Sequence, residues 1–356
     1  MPSLARSRFH GIPMWSGDSS EVAFGLLGPG GVLVVSVAAM EERRIRQVVE
    51  FQDALEWATG PQSREVAWSR RKGEAEPSRP EESGCGPSGS IAGAGGELVV
   101  WRVEATGGTS MVDLGRGCHP AWDPTGKRLA FIERGTGDAQ DAVAIADVTS
   151  QERRRLPLQA EVRPHVLRWS PSGDSIAFCA AVFPPTALIS EHGAIRWELG
   201  LTASDLCEFR LLTWAGFVSK HGWAWLGEGE KIRFVSLPVP GRRPEGHGRS
   251  ALWEVDVESG EGTLLRQVRT VPTHAAWRPD GEVVAAVDYA LGRLELHLLP
   301  VGEGGEAILA RDVVGVPSWS PDGSKIAFIT IGGRLVVADP EGGRVVCTIS
   351  DEPAFV

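Results

Sequence analysis

Apolar and polar residues alternate along most of this chain in short bursts, each broken by a tight turn. From Val316 the chain reads "VPSWSPDGSKIAFIT". Trp319 closes the first burst, Asp322-Gly323 turns the chain, and Ile326 and Phe328 belong to the second. Alternation with period two marks half-buried strands. Asp-Gly between two such runs predicts a hairpin, because Gly takes positive φ at little cost. The phrase recurs as "HPAWDPTGKRLAFIE" from His119, "VLRWSPSGDSIAFCA" from Val166 and "HAAWRPDGEVVAAVD" from His274. Leu129 and Phe131 stand at the same offsets after Trp122, Ile176 and Phe178 after Trp169, Val22 and Phe24 after Trp15, and Ile232 and Phe234 after Trp225. Trp277, with Val284 and Ala286, is a weaker match. The two offsets have equal parity, so each apolar pair shares one face of the second strand of its hairpin.

A further copy is interrupted. Trp68 stands in "REVAWSRRKG", and "GPSGSIAGA" downstream resembles "SPSGDSIAF" after Trp169. Residues 70–86 read as a polar, Pro/Gly/Ser/Glu-rich insertion in the first turn of this unit, expected to be mobile. The anchors are then Trp15, Trp68, Trp122, Trp169, Trp225, Trp277 and Trp319. Periods of roughly 40–50 residues with four short strands each are the signature of propeller blades. The expected fold is therefore all-β: one seven-bladed β-propeller domain over 1–356, with four antiparallel strands per blade. Its ring closes by packing the first blade on the last. Two longer segments, 51–63 and 205–218, suit short amphipathic helices over the blade tops, with Leu55 and Trp57, or Leu206, Phe209 and Leu212, buried. The same segments are candidates for partner binding on the upper face of the ring. The polar loop 239–250 is placed on that face too.

The phrase "P-x-W-S-P-D-G-x-x-I-A-F" resembles the WD40-like repeats of the TolB propeller family, over residues 10 to 350. The resemblance implies a rigid ring that binds other proteins, and an exported, periplasmic location. That family has six blades, whereas the anchors here predict seven. The start, "MPSLARSRFHGIPMW", carries positive charge but no apolar run behind it, so the location expected from the sequence is cytoplasmic, with export as the alternative.

Composition narrows the function. Thirteen Trp against one Tyr suit a repeated structural task for Trp. A net charge of −10 repels phosphate backbones and argues against nucleic acid. No apolar run reaches the roughly 18 residues of a membrane span. Cys85, Cys118, Cys179, Cys207 and Cys347 are scattered, with no C-x-x-C pair, so neither a disulfide framework nor a zinc site is indicated.

Catalytic phrases are missing: there is no G-x-S-x-G, no H-E-x-x-H and no Walker loop. One constellation remains. His10, His119, His165, His221 and His274 stand three to five residues before an anchor Trp, where the innermost strand of a blade begins. Converging neutral imidazoles can hold a transition metal that activates a water or an acidic sugar. Seven-bladed pectate-fragment lyases with related repeats resemble this arrangement. The offsets differ in parity, however, so the imidazoles are expected on different strand faces. The turn carboxylates Asp18, Asp174, Asp280 and Asp322 fall on the opposite face of the ring and read as turn formers. Trp197, Trp223 and Trp253 read as wedges between blades. The function expected first is a non-enzymatic scaffold for another, unidentified protein, probed through Trp57, Phe209, Trp214, Arg242, Arg243 and His247. It needs no cofactor and is monomeric by itself. The alternative is a metal-dependent, lyase-like enzyme on an acidic carbohydrate, using the histidines.

Overall fold

A computed structural model describes residues 9–26, 32–37, 42–45, 56–57, 65–70, 97–103, 109–135, 139–183, 195–213, 217–238, 249–290, 293–341 and 344–350. Among them every regular element is a strand, and the strands form seven four-stranded sheets. Sheet 1 holds β1 (Phe9–Trp15), β2 (Glu21–Leu26), β3 (Val32–Ser36) and β4 (Glu42–Ile45). Sheet 2 holds β5 (Glu56–Trp57), β6 (Glu65–Arg70), β7 (Glu97–Val103) and β8 (Thr109–Arg116). Sheet 3 holds β9 (Cys118–Trp122), β10 (Arg128–Glu133), β11 (Ala142–Asp147) and β12 (Arg153–Pro157). Sheet 4 holds β13 (Val162–Trp169), β14 (Ser175–Val182), β15 (Arg196–Ala203) and β16 (Phe209–Leu211). Sheet 5 holds β17 (Val218–Leu226), β18 (Lys231–Ser236), β19 (Ser250–Asp256) and β20 (Gly262–Val268). Sheet 6 holds β21 (Pro272–Trp277), β22 (Val283–Ala290), β23 (Arg293–Pro300) and β24 (Ala307–Arg311). Sheet 7 holds β25 (Val313–Trp319), β26 (Ile326–Thr330), β27 (Arg334–Asp339) and β28 (Arg344–Ser350). Each sheet is an antiparallel meander in which neighbours in sequence are neighbours in space. Short hairpins allow that order without crossovers.

The expected registers are present. Trp15 faces Val22, Trp122 faces Leu129, Trp169 faces Ile176, Trp225 faces Ile232, Trp277 faces Val284 and Trp319 faces Ile326. The first strand of each sheet packs beside the first strands of its two neighbours, and β1 lies between β25 and β5, so the series closes on itself. Closure removes the open ends that a stack of sheets would leave exposed.

The anchor Trp does two jobs. Its rings are buried in cores shared between adjacent sheets; Trp15, for example, packs with Val22, Ala327 and Val337 across the closure of the ring. Its indole N–H reaches a backbone carbonyl of the preceding sheet. Trp169 Nε1 donates to Ala121 O at 3.0 Å, Trp225 to Arg168 O at 3.1 Å, Trp277 to Gly222 O at 3.0 Å, Trp319 to Ala276 O at 3.2 Å and Trp15 to Ser318 O at 3.1 Å. A buried indole N–H without a partner would be costly, so the ladder keeps polar satisfaction and packing in one side chain. Trp122 is the exception: its Nε1 is buried and has no partner among the described residues, and the sheet before it is the one that begins with the two-residue strand β5.

The hairpin turns are built as their sequence reads. Ser320 Oγ donates to Asp322 Oδ1 at 2.6 Å and accepts from Lys325 N at 2.9 Å, Asp322 Oδ1 accepts from Ser324 N at 3.0 Å, and Gly323 sits at φ 70°. Ser16 and Asp18 repeat the arrangement, and Asp123 takes the serine's place in sheet 3.

Three expectations need correction. Trp68 is not an anchor on a first strand: it lies in β6, the second strand of sheet 2, facing Val99 of β7. Trp57, expected on a helix, is on β5 and faces Val66, in the anchor's place. The long polar connection therefore joins second and third strands rather than filling the first turn. Residues 71–86 themselves lie outside the described residues. The expected helix in 205–218 is also absent among the described residues. Leu206 turns the chain at φ 57°, Phe209–Leu211 form the outermost strand β16, and Leu206 and Leu212 are buried as expected. An outer strand of three residues is too short to show period two, which is why apolar spacing suggested a helix there.

Candidate functional site at the mouth of the ring

All seven first strands begin on one face of the ring, the mouth face. The Asp-Gly turns lie on the other. In sheets 3 to 6 the first strands carry His119, His165, His221 and His274 toward the mouth face. His10 lies in β1 opposite Gly25, and its side chain lies outside the described residues.

The parity objection to convergence is resolved by bulges. In β13, Pro164 faces Ala180 and Val166 faces Cys179, which leaves His165 as an inserted residue. β21 slips similarly between Pro272 and His274, β9 between Cys118 and Ala121, and β17 between Val218 and Trp223. A bulge shifts the strand's phase by one residue and re-aims a side chain. His119 adopts φ 50° at its slip. The rings of His119 and His165 come to 6.2 Å between centroids.

Around these imidazoles the structure assembles Lys220, Asp141 and Glu198, which sequence reasoning missed, and Trp197, which it read as a wedge between blades. Trp197, on β15, meets the His165 ring edge-on at 4.8 Å and carries the Lys220 ammonium over its face at 4.1 Å. It therefore lines the mouth. Trp223, by contrast, is a fully buried wedge stacked under Arg168, with its centroid 4.6 Å from that guanidinium, and Trp253 packs parallel to Phe234. Asp141 is buried and accepts from Arg134 at 2.7 Å, from Gly135 N at 3.0 Å and from Arg163 at 3.2 Å, tying sheet 3 to sheet 4 at the mouth. Glu198 is fully buried and accepts from Thr213 Oγ1 at 2.7 Å. A signal for Lys220 exists in hindsight: a lysine beside a histidine at a strand start reads as solvated until neighbouring sheets enclose it.

The electrostatics follow from this enclosure. Burial, followed by the positive charges of Lys220 and Arg134, pushes His165 down to about 2. Burial, followed by Arg168, pushes His221 down to about 3. His274 is lowered as well, by burial and then by Lys220. His165, His221 and His274 are neutral at pH 7, and the field around them is positive. Two ring nitrogens, His165 Nε2 and His221 Nδ1, are buried without a hydrogen-bond partner.

As a metal centre the set is poor: among the described residues no three of His, Cys, Asp or Glu group closely enough to hold an ion. The other candidates scatter. Phe209 is half-buried against Phe178 at 6.1 Å, at the turn-face end of sheet 4, so it fills the core rather than a mouth-face surface. The side chain of Trp57, and Trp214, Arg242, Arg243 and His247 altogether, lie outside the described residues. Asp18, Asp280 and Asp322 bond their own turns, on the turn face as expected. Among the described residues no helix is long and apolar enough to cross a membrane.

Comparison with known proteins fixes the type of repeat. The Tol-Pal system protein TolB of Anaeromyxobacter dehalogenans strain 2CP-C is 32% identical over 118 residues, covering 31% of this chain and 26% of that protein. The chain carries a TolB-like propeller. It spans about a quarter of the length of the curated relatives it matches, and no family model matches it. Among solved structures, oligogalacturonate lyase from Vibrio parahaemolyticus superposes with a TM-score of 0.64 at 11% identity, over 96% of this chain and 94% of that one. The Cps50 (Swd1) β-propeller domain of Myceliophteria thermophila superposes at 0.61 with 16% identity, over 94% and 98%. These likenesses concern the fold of the propeller.

Proposed function

We propose that this TolB-like propeller is a non-enzymatic interaction module that holds another protein on its mouth face. The observation that carries the reading is a group of three of the seven large apolar side chains exposed among the described residues; the other four, Leu264, Ile308, Val345 and Val346, lie on outermost strands. Tyr289, the only tyrosine of the chain, is 65% exposed at the mouth-face end of β22; Val271 precedes β21, and Ile331 follows β26. All three fall on the mouth face of sheets 6 and 7, next to the polar mouth of sheets 3 to 6. Exposed apolar residues rimmed by polar ones mark protein contact surfaces. The name of the TolB relatives, as members of a Tol-Pal system, supports the same reading. The test is co-purification from the native host with the wild-type chain and with Tyr289→Ala/Ile331→Asp. A partner that stays with the wild type and leaves the variant supports the module. A chain that purifies alone and turns over an acidic oligosaccharide overturns it.

The second reading is a lyase-like enzyme on an acidic carbohydrate. It is favoured by the histidines at the mouth and by the fold likeness to oligogalacturonate lyase. Metal analysis of untagged protein, with His119→Ala and His274→Ala, separates the two. Under the enzyme reading both substitutions abolish metal uptake and turnover.

A further inference from the structure

Three observations fall on one part of the mouth, where His221 acts on the charge of His165 and Lys220 acts on both. Trp197 holds the His165 ring against its edge and the Lys220 ammonium over its face. Lys220 has no ion-pair partner within 4.0 Å among the described residues, unlike Arg134 and Arg163, which share Asp141. His165, 8% exposed, has an unpartnered Nε2, and His221, next to Lys220 in sequence, has an unpartnered Nδ1. A neutral imidazole has one N–H donor and one acceptor nitrogen, so each free nitrogen can offer a hydrogen in the appropriate tautomer. Buried polar atoms are normally satisfied, and a semi-enclosed ammonium is normally paired.

We propose that this part of the mouth is a binding site for a single carboxylate, with Lys220 as counter-charge and the free nitrogens of His165 and His221 donating to its oxygens. The positive field that keeps both imidazoles neutral is the field an anion would enter. One unpaired ammonium matches one negative charge, which favours a carboxylate over a doubly charged phosphate. Trp197 supplies a flat apolar wall beside the site, suited to the methylene stem of an acidic side chain. The carboxylate is assigned to an Asp or Glu of the protein partner. That assignment of source rests on the interaction-module reading, whereas the anion site itself does not. Both imidazoles, held near 2 and 3, stay neutral between pH 7 and pH 5, so the affinity is expected to be flat across that range. The groups acting on them are Lys220, Arg134, Arg168, His119 and His274; Asp141 is paired with Arg134 and Arg163, and the buried Glu198 accepts from Thr213.

The test is an NMR titration of the full chain's imidazoles with sodium acetate at constant ionic strength, with His297 as an internal reference away from the mouth. Saturable shifts of His165 and His221, with His297 unmoved and an affinity at least tenfold weaker in Lys220→Met, are expected. Lys220→Arg restores part of the affinity, which a purely structural role for the lysine would not predict. Shifts no larger than those of His297, or equal in Lys220→Met, overturn the site. Two further ligands identify the source. A short acidic peptide that binds more tightly than acetate supports a protein carboxylate. Succinate outcompeting the peptide keeps the anion site but overturns the assignment to a protein partner.

Discussion

The two faces of the ring are written by the same repeat and behave in opposite ways. On the turn face every polar group of the Ser-x-Asp-Gly phrase is satisfied within a few residues: Ser320, Asp322 and Ser324 bond one another and their own backbone. On the mouth face the polar groups depend on neighbouring sheets. Asp141 draws on Arg163 of the next sheet, Trp197 bridges His165 and Lys220, and two imidazole nitrogens find no partner among the described residues. A carboxylate that closes its own turn has no capacity left for a ligand. Groups left unsatisfied by the fold are available for one.

The comparison can be broken by substitution. Trp169→Ala removes a buried ring and the Trp169-to-Ala121 bond between sheets, and should lower unfolding free energy by about 3–5 kcal/mol in denaturant melts. Trp169→Phe, which keeps most of the burial, should lose only about 1 kcal/mol. If both lose equally, the indole bond rather than packing holds adjacent sheets. Asp141→Ala strands Arg134 in a buried position and should cost about 3 kcal/mol, more than any single turn carboxylate.

The pH dependence separates the faces. His165 has its native proton affinity depressed, so its contribution is complete above the unfolded value near 6.5 and is lost as pH falls, because the unfolded chain takes up the proton first. The slope is about 1 kcal/mol per pH unit below 6, and His165→Gln should remove it from acid titrations of stability. Asp322, lowered to about 2 despite a desolvation that opposes it, because Ser320 and Ser324 bond the charged form, acts lower. Its contribution is present above the ordinary carboxylate value near 3.8 and vanishes as pH falls toward 2, so Asp322→Asn should flatten only that window. The smallest effect expected is from Ser320→Ala, about 1 kcal/mol by thermal melts, since it removes the hydroxyl's bonds to Asp322 and Lys325 but leaves the Asp322 bond to Ser324 N and Gly323 to hold the turn.

Much of the ring was legible in the chain itself. The Trp-to-apolar offsets located the first two strands of six sheets and their registers, because strand parity and turn chemistry act over fewer than ten residues. Sheet 2 was misread for the same reason. Its anchor Trp57 lacks the turn phrase that follows the others, and Trp68, one strand on, mimicked it.

Local chemistry determined where strands begin, where they turn and which face of each is apolar, since these depend on near neighbours along the chain. The tertiary structure decided the rest: that bulges bring histidines of unlike parity to one mouth, that a half-buried lysine has no ion pair among the described residues, and that Trp197 meets His165 and Lys220 while Trp223 fills a core. Those outcomes arise between sheets, where residues some fifty positions apart meet, and no spacing within one repeat encodes them.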